Sequence, residues 1–296
     1  MKRPDPIPPH LSNDFAYCRE IALARNESLP LCARFLSRRL KPHWFVLCAF
    51  ALTARDFTRL RGGDDDYKLQ LIDDWSRRLE QARAGQPDHP ILRAMAHVLE
   101  ATGLPEGLLQ ELLIACRMDV TNKQHETLDD LLDYCRFSAV PMGHLLLHLH
   151  DEMVSTPEVR LSDKLRHSDA LWTALWWTRF WCDLGQDGRQ GLPLYVPIRE
   201  MERFEVTPEM VWQRRFTPMM GGLMLHLVDE TRILFLAGAP LIEEVGHPFR
   251  LELAHALERG MTLLDRIEAC GGNTLRTRPE LTQWERLGCL WRTLGR

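Results

Sequence analysis

Residues Leu171 to Asp187 read LWTALWWTRFWCDLGQD, and this stretch limits the fold more than any other. Four tryptophans and a phenylalanine recur at helical spacing, with no proline and no glycine before Gly185. It therefore reads as a helix capped by Ser168 or Asp169. Trp172, Trp176, Trp177, Phe180 and Trp181 cover two of its faces, and a helix this apolar must be enclosed by other elements. At its end Asp183 and Asp187 share one face, where paired carboxylates can hold a hard divalent cation. Arg179, one turn before Asp183, offers that carboxylate a plainer use as an i, i+4 ion pair. The aromatic stripe also has two readings, a packed core or the lining of a site for a long apolar ligand.

The enclosing elements read as helices too. Helical spacing covers residues 14–25 and 29–40, then a helix from Pro42 to Leu60 that Gly62-Gly63 closes. The acidic run Asp64–Asp66 reads as a solvated loop ahead of a helix over Tyr67–Ala84, whose buried stripe is Leu69, Ile72, Trp75 and Leu79. Ile91–Thr102 and Glu106–Arg117 form a pair joined at Gly103–Pro105. Thr127 and Asp130 have the spacing of a capping box, and the helix they open extends from Leu128 to His150 with a kink at Pro141. After an irregular Gly188–Pro197, helices read over Pro208–Thr231 (interrupted at Gly221-Gly222), Ile233–Ile242, Pro248–Cys270 and Thr282–Leu294. No segment alternates with period two and no repeat of fixed length recurs. The expectation is an all-α, single-domain chain over residues 14–296, behind a loose proline-rich arm at residues 1–13.

With 296 residues and 45% apolar composition, the chain can build a sizeable core without disulfides or structural metal. A net charge of −4 argues against a nucleic-acid partner. The eight cysteines are scattered without a C-x-x-C pair, which suits a reducing, cytoplasmic setting and buried, inert thiols. The N-terminal stretch lacks the apolar region of a signal peptide, and the runs Trp44–Ala54 and Ala170–Trp177 fall short of a membrane span. Peripheral contact with the inner face of a membrane stays open. His144 and His148 have chelating spacing, but Leu145 stands where a metalloprotease helix needs glutamate. There is no G-x-S-x-G elbow and no glycine-rich phosphate loop. Tyr134, on the edge of its helix's apolar stripe, is either a core residue or a hydroxyl at a pocket rim.

Several of these pieces fall together. The segment Leu131–Gly143, LLDYCRFSAVPMG, resembles the "YC…A…VG" helix of the squalene/phytoene synthase family. Asn26–His43, with its Leu-Pro-Leu and Arg-Arg-Leu-Lys-Pro-His, resembles the N-terminal segment of the hydroxysqualene synthases of hopanoid biosynthesis. Asp183-Leu-Gly-Gln-Asp187, followed by Leu194-Tyr-Val-Pro197, resembles the second aspartate-rich motif and its "YLP" tail. The order and spacing match over roughly residues 14–290. The resemblance implies an isoprenoid-synthase fold around a central apolar cavity, with Mg²⁺ held between two aspartate-rich motifs. The metal grips the diphosphate of a farnesyl-derived substrate and favours its departure, leaving an allylic cation among aromatic faces. Carried onto this chain, it makes Asp183 and Asp187 metal ligands, Asp56 a residual ligand, and Tyr134 a catalytic-site residue at the cavity rim. Arg55, Arg59, Arg179, Trp176 and Tyr195 become substrate contacts. In the hydroxysqualene branch, water captures the cation derived from presqualene diphosphate, so no nicotinamide is expected.

The chain also departs from the family pattern. Arg55-Asp56-Phe57-Thr58-Arg59 stands where the family has D-D-x-x-D, which keeps one acid and adds two cations. Trp176 and Arg179 replace a glutamine and an asparagine, and Pro193 aligns with a basic residue. Losing two carboxylates removes hard ligands that Mg²⁺ needs, while guanidinium forks suit phosphate oxygens directly. Two hypotheses follow: a prenyl-transferring synthase, or a non-catalytic relative of the same fold that binds lipid or a partner such as a sister synthase.

Overall fold

The computed structural model describes residues 7–24, 33–60, 63–121, 124–150 and 158–295. Among them no strand occurs, and a 3-10 turn at Pro9–Leu11 leads into α1 (Ser12–Ala24). There follow α2 (Lys41–Thr58), α3 (Asp65–Arg83), α4 (Pro90–Thr102), α5 (Glu106–Val120), α6 (Leu128–Ser138) and α7 (Val140–Leu149). The rest are α8 (Glu158–Gln190), α9 (Ile198–Arg203), α10 (Pro208–Trp212), α11 (Pro218–Gly238), α12 (Leu241–Glu244), α13 (Phe249–Ala269) and α14 (Gln283–Leu294). These helices form two compact units: unit 1 takes Met1–Thr121 and Pro141–Leu161, unit 2 takes Asn122–Val140 and Ser162–Arg296. No linker marks the division. Its Val140/Pro141 boundary lies inside the stretch that spacing reads as a single kinked helix. That stretch is instead two helices, with Ala139 as the C-cap of α6. A proline lacks the amide proton and crowds the carbonyl four residues back, which is enough to end a helix rather than bend it.

In unit 1, α2 is the central strut. Pro42 sits in its first turn, where a missing N–H costs nothing, and Trp44 through Phe50 are all buried. Phe50 stacks on Trp75 of α3 at 5.6 Å, with Ile72 and Leu79 fully buried beside it on the same stripe. Each such burial contributes about 1.5–3 kcal/mol. The acidic run is not a solvated loop. Asp64 caps α3 by accepting from the Tyr67 amide at 2.8 Å, while Asp65 and Asp66 occupy the first turn, where the helix dipole favours negative charge. The helix expected over residues 29–40 is also corrected. Residues 29–32 lie outside the described residues, and 33–40 form bends and a turn. Ala33 adopts φ 51°, and the Ser37 hydroxyl accepts from the Leu40 amide at 3.2 Å, a local bond that competes with the helical ladder.

α8, 33 residues long and the longest helix described, belongs to unit 2 from Ser162 onward. It starts ahead of the expected cap. Ser168 is fully buried within it, and the Arg166–Asp163 pair at 2.9 Å supports the earlier turns. A capping residue is a weak start signal when the turns before it continue the pattern. Past Asp187 the helix runs on through Gly188 to Gln190. α11 likewise passes unbroken through Gly221-Gly222. A Cβ on Gly221 would meet the Gly271 carbonyl oxygen at 2.9 Å, so this glycine serves a close approach and not a helix stop. The helix then continues past Thr231 and absorbs most of the separate helix expected over residues 233–242. Of the seven described cysteines, all free, only Cys270 is exposed, and burial pushes the Cys18, Cys135 and Cys182 thiols up to about 12.

α14 closes unit 2 against α13. Thr282 and Glu285 form a capping box, and Arg266 Nε of α13 lies 2.7 Å from Glu285 Oε1. Burial alone would raise the Glu285 pKa, but Arg266 and the Thr282 hydroxyl and amide outweigh it and hold the group at about 2, against an ordinary 4.5. A folded-state pKa below the unfolded one stabilises the protein above about pH 4.5, and that contribution is lost as pH falls towards about 2. Thermal melts across this window should therefore show a steeper loss of stability for the wild type than for Glu285→Gln. Parallel profiles for the two proteins would contradict the assignment.

Candidate functional site

Trp176, Arg179, Asp183 and Asp187 stand on successive turns of α8, all within unit 2. The loop after α8 returns to α6 through two backbone bonds, from the Ile198 amide to the His125 carbonyl (2.9 Å) and from the Arg199 amide to the Glu126 carbonyl (3.1 Å). This pairing, next to the Thr127 capping box, sets Tyr195 against Phe180 in a parallel stack at 3.9 Å and 10°. Tyr134 of α6 lies 5.4 Å from Tyr195 and 6.3 Å from Phe180, with the two tyrosine hydroxyls 3.5 Å apart. His125 packs on both tyrosines at 5.1 and 6.1 Å. Burial pushes the His125 pKa down, so its ring is uncharged near neutrality and stacks without desolvating a cation.

At the other end of this ladder Trp172 meets Trp176 at 5.8 Å. The Arg179 guanidinium lies 5.5 Å from the Trp176 ring and 5.4 Å from the Phe180 ring, a cation between two aromatic faces. Tyr134, Tyr195, Trp176 and Arg179, each singled out in the sequence, are thus gathered around Phe180. Tyr134 is only 4% exposed, which makes it an interior member of the ladder rather than a residue on an open rim. His125 went unrecognised because it stands in a loop, where no periodicity marks it. Its one sequence signal is its place just ahead of the capping box.

The carboxylates have a partner that spacing does not reveal. Arg278 Nε donates to Asp183 Oδ1 at 2.6 Å, with the two side chains 24% and 14% exposed. Arg278 reaches α8 because its loop lies directly on that helix at Gly185, where a Cβ would stand 2.6 Å from Leu275 Cα. Arg214 clamps the same loop, its Nε donating to the Leu275 carbonyl at 2.7 Å and its other nitrogen to the Arg276 carbonyl. Asp187 is buried at 4% exposure. The sequence reading made Arg179 the natural claimant for Asp183; the recorded ion pair comes instead from 95 residues further along the chain.

In unit 1, Arg55, Asp56 and Arg59 occupy the last turn of α2 and its C-cap, all half-buried. The Thr58 hydroxyl donates to the Arg55 carbonyl at 2.8 Å, and Phe57 packs edge-on against Trp75 at 5.9 Å. A cavity of about 1020 Å³ also opens in this unit, lined by Arg83, Arg93, His97 and Glu100 among others. It holds none of the candidate residues, and its arginines are already engaged, Arg93 by Asp14 (2.7 Å) and Arg83 by Glu106 (3.0 Å).

Magnesium was the metal that the resemblance implied. It takes near-octahedral oxygen ligands and needs an excess of negative charge around it. The donor set runs the other way. Asp56 lies between two arginines in the sequence of unit 1, and in unit 2 Asp183 is held by Arg278. Within either unit, no three His, Cys, Asp or Glu side chains gather as a ligand set among the described residues. As arranged here, the residues do not fit the ion.

The all-helical fold, with an aromatic ladder and two aspartates on its longest helix, agrees with the fold class that the sequence resemblance implied. The squalene/phytoene synthase family model matches residues 24–285, and the chain belongs to that family. It is 28% identical to the hydroxysqualene synthase of Rhodopseudomonas palustris over 75% of this chain and 72% of that protein. With the hydroxysqualene synthase of Zymomonas mobilis the identity is 29%, over 62% of this chain and 59% of that one. Among solved structures, a squalene synthase from Alicyclobacillus acidocaldarius superposes with a TM-score of 0.77 at 28% identity, covering 90% of this chain and 97% of that one. A dehydrosqualene synthase, solved with a ligand, gives 0.80 at 22% identity over 97% of each chain. The fold class and the hydroxysqualene branch are thus those that the sequence motifs indicated.

Proposed function

We propose that this chain is a catalytically impaired member of the hydroxysqualene synthase branch that binds a farnesyl-derived prenyl diphosphate without a magnesium cluster. The observation that carries this reading is the Arg278–Asp183 ion pair at 2.6 Å, which places a resident cation on the carboxylate a metal would need. The aromatic ladder of Trp176, Phe180, Tyr195 and Tyr134 offers the flat apolar faces that suit a polyprenyl chain. Guanidinium groups at Arg179 and Arg278 suit diphosphate oxygens, which they match fork to fork. Guanidinium charge steadies the bound anion, but it lacks the Lewis acidity that speeds loss of the leaving group.

The second reading is a working synthase that ionises presqualene diphosphate and lets water capture the cation, with no nicotinamide. Asp183 and Asp187, retained on one face of α8, favour it. Calorimetry with farnesyl thiodiphosphate in the presence of EDTA tests the first reading. Binding should persist there, weaken about tenfold in Arg179→Ala, and be accompanied by no diphosphate release from farnesyl or presqualene diphosphate in Mg²⁺. Magnesium-dependent release that disappears in Asp183→Ala would establish the synthase instead.

A further inference from the structure

α1 is seated on histidines. It packs on α2 and α4 through a buried side made of Asp14, Phe15, Cys18 and Ala22. Phe15 meets the rings of His43 on α2 and His97 on α4 edge-on, each at 5.9 Å. Tyr17 meets His89, the residue that caps α4, at 6.1 Å. Arg93 of α4 holds both oxygens of Asp14, at 2.7 and 2.9 Å.

The geometry favours uncharged rings. His43 is 2% exposed, and its Nδ1–H donates to the Arg39 carbonyl at 3.1 Å, so Nε2 carries the lone pair. That Nε2 and the Nε2 of His97 are both buried without a hydrogen-bond partner among the described residues, and the two rings lie 6.4 Å apart. His89 accepts from the Ile91 amide at 3.2 Å through Nδ1, and its ring stands edge-on to Trp75 at 5.2 Å. A second proton on His43 would create a buried N–H with no acceptor. One on His89 would remove the cap and set a cation at the positive end of a helix. The acids that face these rings are already taken, Asp14 by Arg93 and Asp88 by Arg78 at 3.0 Å. Cys18 carries no charge, because burial and then Asp14 push its thiol up to about 12. Glu100, one turn beyond His97, is exposed, where solvent screens it.

We infer that these three histidines make α1 an acid-released strap, closed on α2 and α4 while they are uncharged and lifting as they take up protons. Burial lowers the His43 pKa below its ordinary 6.5, with His97 adding to the effect; burial and then Arg78 lower that of His89. Their contribution to stability is therefore complete above about pH 6.5 and is lost as pH falls below it. Pro8, His10 and Leu11, just ahead of α1, wall the cavity of unit 1 together with Arg93 and His97, so release of the strap widens that cavity. The device is independent of which diphosphate the chain binds.

Hydrogen exchange of the full chain at about pH 7.5 and 5.5, corrected for intrinsic rates, tests it. Protection over Ser12–Ala24 should fall about tenfold or more at the lower pH, while α5, which contains no histidine, keeps its protection. His89→Asn retains a capping side chain that does not titrate and should lessen the loss. His43→Gln/His97→Gln should remove most of it. Unchanged protection of α1 in the wild type overturns the inference, and so does an equal loss in α5. A loss in α1 that His89→Asn leaves at full size overturns it too, whether or not the double variant folds.

Discussion

Gly185→Ala is expected to destabilise the protein by about 2–3 kcal/mol, because the added methyl has no room and nothing flexible to push aside. The new Cβ would stand 2.6 Å from Leu275 Cα and overlap the Leu275 carbonyl oxygen, so it meets backbone and not the end of a side chain. That backbone is itself clamped by Arg214, and either α8 or the Leu275–Arg278 loop must shift. A shift of the loop carries Arg278 away from Asp183, so the ion pair goes with it. Urea unfolding should show a lower midpoint at an unchanged slope. Gly188→Ala on the same helix is the control, since its Cβ would meet the Val211 Cγ1 methyl at 3.0 Å. There the helix preference of alanine, about 1 kcal/mol over glycine, offsets most of the crowding. Equal stabilities for the two variants would contradict the close approach at Gly185.

The second large effect is on metal affinity. With Arg278 in place, Mg²⁺ must compete with a guanidinium that holds one oxygen of Asp183 and does not lose its charge. Wild-type protein is expected to bind Mg²⁺ weakly, and Arg278→Met to bind it at least about tenfold more tightly, because an unpaired, mostly buried carboxylate then seeks a cation. Without metal the same variant should be less stable by about 2 kcal/mol, most of which Asp183→Asn restores in the double variant. Calorimetric titration with MgCl₂ and a double-mutant cycle read these two outcomes separately. Tight Mg²⁺ binding by the wild type, unchanged in Arg278→Met, would remove the ion pair from any account of the site and return Asp183 and Asp187 to the metal.

The two predictions bear on different links of one chain of cause. Gly185 lets the loop approach, the loop delivers Arg278, and Arg278 decides whether Asp183 acts as a ligand or as an internal counter-charge. Arg179, the cation next to Asp183 in sequence, is recorded over the Trp176 and Phe180 rings, where it lends positive charge to the aromatic ladder.

Much of this protein is local in origin and was legible without coordinates. Apolar residues at helical spacing gave α2 to α5 to within a few residues, and the Thr127 cap follows from a side chain that satisfies an amide three residues on. The motifs at Leu131–Gly143 and Asp183–Pro197 sufficed for the family. Where the reading failed, the local signal had two outlets. Asp64–Asp66 served equally as loop or cap, Gly221-Gly222 as helix break or close-packing surface, and Pro141 as kink or stop. In each case packing chose between them.

The site shows the same limit more sharply. Periodicity marked Trp176, Arg179, Asp183 and Asp187 as one stripe, because spacing along a helix is a property of the sequence. It could not supply Arg278, whose contact depends on a loop folding back across 95 positions and on a glycine that lets it approach. The amphipathic pattern of α14 was likewise present in its residues, but not which side faces outward, with Trp284 at 83% and Trp291 at 75% exposure. That depended on whether α13 met it with apolar surface or with Glu258, Thr262 and His255. The sequence by itself determined an all-helical member of the squalene/phytoene synthase family with an altered first motif. Only the tertiary structure decided who holds Asp183 and which way the C-terminal tryptophans point, since both depend on contacts between residues that no local spacing relates.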